Sequence, residues 1–293
     1  MRIPFMQNPR AILILLVGLW GGLFLGSALP LHAQNESAVP DSSAHKVSVD
    51  EYSDEEIIDR LVSRPELTTY YADMAEQAVE GVRQSPLTLP ESGRALLIEQ
   101  ARQAYDSTYL AQDVRSYIRA QYDDALARAA AEGLAQPVVE QVDAQAAYDA
   151  DFEAIQAYGQ TLGSEDISEE RIQAVRTLIQ SGDGIAAFTN TVVRLQHALF
   201  QAAQHIDPDA AEAIDRSVLE ERVRNMATNI VPLTMFYTYR AVPTDTLSTY
   251  ADFYTSEAGQ WYHQVSVAAQ AHAEQQAAER LVEGIQDAVD ARD

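Results

Sequence analysis

Histidines and carboxylates are the residues of this chain that could carry chemistry, and their spacing limits what that chemistry is. His197 and His205 stand eight residues apart on one helical stretch, about 12 Å along the axis and too far to share a metal ion. His263 and His272 stand nine apart, and His32 and His45 lie near the N-terminus. These are read as surface or interfacial histidines. Two acidic clusters, Asp149, Asp151 and Glu153, and then Glu165, Asp166, Glu169 and Glu170, have the residue type for calcium. Neither has the EF-hand spacing with its central glycine, and acids at a helix start satisfy the helix dipole without a metal. Paired carboxylates can cleave glycosidic bonds, but among 44 acids some pair is always available. The absence of Cys excludes disulfides, thiolate metal sites and Cys nucleophiles. There is no phosphate-binding G-x-x-x-x-G-K-[ST] loop, no G-x-S-x-G elbow and no H-E-x-x-H helix. The Gly-dense segment Ser181 to Gly184 does not follow a strand, so it is no dinucleotide fingerprint. No catalytic residue, metal or cofactor is assigned, and the reading leans away from an enzyme.

Fourteen tyrosines, against seven Phe and two Trp, form the other distinctive set. Tyr70, Tyr71, Tyr105, Tyr109, Tyr117 and Tyr122 gather in the first half, and Tyr237, Tyr239, Tyr250, Tyr254 and Tyr262 near the end. A tyrosine packs its ring while keeping its hydroxyl wet, which suits a core rim or a binding groove. Tyr254, Trp261 and Tyr262 are the candidates for a ligand contact.

The elements that must position these side chains read as helices throughout. Ser53 and Glu56 have capping-box spacing, and Pro65 opens a second helix. A third runs from about Glu91 to Tyr105. Leu110, Val114, Tyr117, Ile118, Gln121, Ala125 and Ala129 share the face of a fourth, with Gly133 as its stop. Pro137 opens a fifth that extends past Ile155. Further helices cover Ile172 to Ile179 and Ile185 to His205. Pro208 begins another, which Pro232 interrupts, and a short helix follows to about Tyr239. Thr244 caps one over Asp245 to Thr255, and Ser256 caps the last, towards Asp290. No alternating stretch suggests a strand. The expected fold is all-α: a multi-helix bundle of about eight to ten helices behind an N-terminal signal peptide.

Composition places the chain in a compartment. Arg2 and Arg10 flank the start of an uncharged run from Ala11 to Leu29, with small-residue exits after Ala28 and after Ala33. Positive start, apolar middle and small exit make a cleavable export signal over residues 1–33, to the periplasm or outside. An uncleaved anchor is the alternative, because nineteen apolar residues could just span a bilayer core. Residues 34–50 are polar and Ser-rich and read as a flexible leader. The formal net charge of −24 opposes binding to nucleic acid and to anionic membranes. Lys46 is the single lysine beside nineteen Arg. That surface suits high salt, where a Debye length of roughly 3 Å at 1 M screens carboxylate self-repulsion.

The most specific stretch is Thr244 to His263, TDTLSTYADFYTSEAGQWYH. Phe253 and Tyr254 end a helix, Ser256 caps the next, and Gly259 sits in its first turn, where glycine costs about 1 kcal/mol relative to Ala. Close helix approach under Phe253 or Tyr254 would compensate. This pattern resembles the bacterial exported-protein family catalogued as domain of unknown function 2059, whose hallmark maps onto Phe253, Tyr254, Ser256, Ala258 and Gly259. The resemblance implies an export signal and a helical fold, and no established activity. It places a family-like C-terminal helical domain over residues 137–293, after an N-terminal helical region over 51–136. The expected function is a non-enzymatic envelope protein that binds another envelope or exported protein, or assists its folding. The alternatives are a carrier of a small apolar ligand between helices and a hydrolase of cell-wall glycans with dispersed carboxylates. Oligomeric state is left open, and the mature chain is expected not to span a membrane.

Overall fold

The computed structural model describes residues 51–146, 152–162, 167–210 and 215–291. The expected export signal and leader lie outside these residues, as do Tyr148, Asp149, Asp151, Glu165 and Asp166. The described residues form twelve α-helices and no strand. They are α1 (Asp54–Val62), α2 (Pro65–Gln84), α3 (Glu91–Ala104), α4 (Ser107–Ala120), α5 (Asp124–Leu134) and α6 (Pro137–Gln145), followed by α7 (Phe152–Leu162), α8 (Glu169–Ser181), α9 (Gly184–Ile206), α10 (Arg216–Thr238), α11 (Thr244–Thr255) and α12 (Glu257–Asp290). The all-α bundle is as expected; the helix count is slightly above the eight to ten read from the sequence.

The differences have local causes. The fourth expected helix is two, α4 and α5, because the Asp123 carboxylate accepts the Leu126 N–H and starts a new helix there. The expected fifth helix is likewise two, α6 and α7, because Ala146 leaves α6 in an extended conformation. Pro232 does not interrupt α10, which runs unbroken from Arg216 to Thr238. Val231 and Met235, on either side of the proline, are buried, and this packing keeps the segment helical through Pro232 despite the lost hydrogen bond. Gly133 is not a C-terminal stop. It lies inside the last turn of α5, where a Cβ would come within 2.3 Å of the Phe253 ring. Pro243, not Thr244, is the N-cap residue of α11.

The caps set by neighbouring residues are present. Ser53 accepts the Glu56 N–H while the Glu56 carboxylate accepts the Ser53 N–H at 2.7 Å. The Ser256 hydroxyl accepts the Gly259 N–H at 3.1 Å.

Helix α12, 34 residues and so about 50 Å long, is the axis of the bundle. It packs against α3, α4 and α5 from the N-terminal region and against α9 and α11 from the C-terminal one. Ala269, Ala273 and Ala277 on α12 are fully buried, and their small side chains let the neighbours approach closely. Buried residues from Ile57 to Ile285 belong to one hydrophobic cluster, so the regions on either side of residue 136 share a core. No helix among the described residues is long and apolar enough to cross a membrane.

Candidate functional site

The α11–α12 joint gathers tyrosine hydroxyls and a histidine in the interior. The Ser256 hydroxyl donates to the Phe253 carbonyl at 2.6 Å while accepting from Gly259, so the chain turns within two residues. A Cβ on Gly259 would stand 2.1 Å from the Phe253 carbonyl oxygen, which is the close approach that glycine allows here. The tight turn sets the Tyr254 ring 5.4 Å from the His263 ring, edge to face at 75°. Tyr250, one turn back on α11, stands with its hydroxyl 3.1 Å from that of Tyr254. Tyr239, the C-terminal cap of α10, brings a third ring 6.1 Å from Tyr250.

Helix α2 closes this cluster from the other end of the sequence. Pro65 is its first residue and Glu66 lies in its positive first turn. The Tyr262 hydroxyl donates to Glu66 Oε1 at 2.9 Å. Arg64 stands 3.6 Å from Glu66 and 2.6 Å from Asp143 of α6, both carboxylates on one guanidinium. Glu66, Tyr239, Tyr250, Tyr254, Tyr262 and His263 line a cavity of about 50 Å³, with Leu67, Leu178 and Met235 on its apolar side and Ser266 and Gln270 on its α12 side. At about 10–15 Å³ per water that is room for about four. The Ser266 hydroxyl is 94% buried in its residue's surroundings and has no hydrogen-bond partner among the described residues.

Burial governs the protonation of the lining. Desolvation holds His263 down to about 4, with the nearby Glu66 charge opposing, so the imidazole is neutral at pH 7. The Gly182 backbone covers this ring: a Cβ there would fall 1.7 Å from Nε2. Desolvation raises the hydroxyls of Tyr239, Tyr254 and Tyr262, and the charge of Glu66 raises them further. None can supply a phenolate nucleophile near neutral pH.

A second polar cluster is centred on Glu274 of α12, which is 2% exposed. Thr191 donates to its carboxylate at 2.6 Å, Tyr70 at 3.2 Å, and Arg194 forms an ion pair with it. Desolvation still raises its pKa against these partners. Arg194 reaches outward into a cleft of about 540 Å³ between α9, the start of α10 and α12. His197, Gln201 and Arg216 stand on one wall and Gln275, Glu279 and Glu283 on the other. Arg216 is exposed and has no ion pair, hydrogen bond or ring contact among the described residues.

Of the candidate contacts read from the sequence, Tyr254 and Tyr262 line the cavity. Trp261 packs half-buried against the core and is not part of the lining. His272 lies with its ring 5.3 Å from that of Tyr117, and no group of three or more metal-capable side chains occurs among the described residues. Glu66 and Glu274 escaped sequence reasoning. A signal for Glu274 existed: it continues the buried stripe Tyr262, Ser266, Gln270, Ala277, Leu281 at three- and four-residue steps. No comparable pattern marks Glu66, which meets Tyr262 across 196 positions.

No protein-family model matches the chain, and neither a characterised protein nor a solved structure matches it.

Proposed function

We propose that the protein is an exported, non-enzymatic binding protein of the cell envelope, and that the cleft between α9, α10 and α12 receives a polar segment of another protein. The observation that carries this reading is the cleft: about 540 Å³, with cationic and anionic walls and Arg216 exposed without a partner. In a chain with 44 acids and 20 basic residues, an exposed arginine with no acidic partner beside it among the described residues offers a cationic point that an acidic side chain of another protein can pair with. The charge pattern of residues 1–33 supports export. The Phe253–Gly259 joint supports kinship with the unknown-function family. The scarcity of lysine and the net charge support a salty medium.

A carrier of an acyl chain is disfavoured by size, because the tyrosine-lined cavity has only about 50 Å³. A glycan hydrolase is disfavoured because Glu66, Asp143 and Glu274 are each ion-paired with an arginine, which suits a structural role.

The test is affinity capture of the tagged mature chain from its own envelope in high salt, beside an Arg216→Glu variant. A stoichiometric protein held by the parent and lost by the variant supports the reading. Capture of no protein, or capture indifferent to Arg216, refutes it. Arg216 is exposed, so circular dichroism should be unchanged in the variant.

A further inference from the structure

We infer that the tyrosine-lined cavity at the α11–α12 joint is a binding site for a small organic ammonium ion, of the trimethylammonium class. Four tyrosines, Tyr239, Tyr250, Tyr254 and Tyr262, line one small cavity with the carboxylate of Glu66. Aromatic rings present negative faces, and rings gathered around a methylated ammonium group stabilise it electrostatically while taking up its methyl groups. The charge balance has the right sign. Arg64 contacts both Glu66 and Asp143, so these three groups carry a net negative charge at the cavity edge. His263 adds no positive charge at neutral pH.

Size selects the head group. About four waters' worth of space accommodates a quaternary nitrogen with its four attached carbons, and excludes a sugar ring or a lipid tail. The apolar wall of Leu67, Leu178 and Met235 suits methyl groups and does not suit a hydrated metal cation or ammonium, which would keep its water. Ser266 contributes the remaining feature. Its buried hydroxyl lines the cavity without a partner, and a hydroxyl on the ligand's short arm would satisfy it. Choline has that arrangement. The cavity shares no lining residue with the α9–α10–α12 cleft, so this site and the protein-partner reading stand or fall separately.

The deciding experiment is isothermal titration of the mature full chain with choline chloride and with 3,3-dimethylbutan-1-ol, its uncharged isostere. Both are measured in the same concentrated sodium chloride buffer. The expected result is choline binding at least tenfold tighter than the isostere. In Glu66→Gln the choline affinity should fall about tenfold, while that of the isostere should not change. Equal affinity for the two compounds would show a merely apolar pocket and overturn the assignment. So would no binding of choline at tens of millimolar, which would leave the cavity to water. If Glu66→Gln does not fold, the comparison on the parent chain decides alone.

Discussion

Acidification should remove stability through His263 by an amount the structure sets. Desolvation holds the imidazole's pKa at about 4, against 6.5 in a solvated chain. The folded value is depressed, so the contribution is fully present above pH 6.5 and is lost as pH falls towards 4, because the unfolded chain binds the proton first. A gap of about 2.5 pKa units corresponds to about 3.4 kcal/mol in full, of which about 2 kcal/mol is lost between pH 7.5 and pH 5.0. The other acids work in the opposite direction over this range, because protonating them relieves the self-repulsion of a chain with net charge −24. A His263→Phe variant separates the two effects. It cannot titrate, keeps an aromatic ring beside Tyr254 and Gly182, and retains every carboxylate. Chemical denaturation of both proteins at about ten pH values, in concentrated salt, gives two curves. The parent should lose about 2 kcal/mol more than the variant over that interval, or about 4–8 °C in Tm for a domain this size. Parallel curves would refute the buried, neutral imidazole.

Three further perturbations bear on the same architecture. Gly259→Ala should gain about 1 kcal/mol in helix propensity yet lower Tm, because its Cβ would stand 2.1 Å from the Phe253 carbonyl oxygen and overpacking of this kind costs about 1–3 kcal/mol; a raised Tm would show that the joint is loose. Arg194→Met should destabilise by about 3 kcal/mol by leaving the buried Glu274 charge uncompensated, and adding Glu274→Gln should restore most of it, as a double-mutant cycle in denaturant would measure; additive losses would mean the two side chains do not depend on each other. Raising sodium chloride from about 0.1 M to 1 M, which shortens the Debye length from about 10 Å to 3 Å, should raise the thermal midpoint by several degrees; a flat response would remove self-repulsion as a factor.

The legible parts of this fold are those decided within four residues. Ser53 with Glu56, Pro65 and Ser256 each open a helix through hydrogen bonds or a fixed φ confined to one turn, and each does so where the sequence places it. Gly133 and Pro232 depart from the roles their residue types suggest, for one reason. Both are local punctuation that packing overrules: the Phe253 ring, 120 positions away, meets Gly133, and the burial of Val231 and Met235 on the same helix carries α10 through Pro232. The site divides in the same way. Tyr254 and Tyr262 are visible because they belong to one contiguous motif. Glu66, Arg64 and Asp143 are not, because only the closed bundle brings α2 and α6 to the start of α12.

The residues of that motif are linked through one residue, Phe253, by its backbone and its ring. Its carbonyl occupies the space that Gly259 leaves on α12, and its ring occupies the space that Gly133 leaves on α5. Phe253 therefore holds three helices in register, and Ser256 completes the hold by bonding to its carbonyl. The next residue along, Tyr254, is thereby fixed against His263 and Tyr250, with its ring 5.0 Å from that of Phe253 itself. The glycine and serine are positioning residues, and what they position is a tyrosine on the cavity wall. Were the motif only a turn, Tyr254 could be any apolar residue; instead its buried hydroxyl meets that of Tyr250 on the wall of the cavity that Glu66 also lines, so the turn places a paired tyrosine there rather than a bare ring.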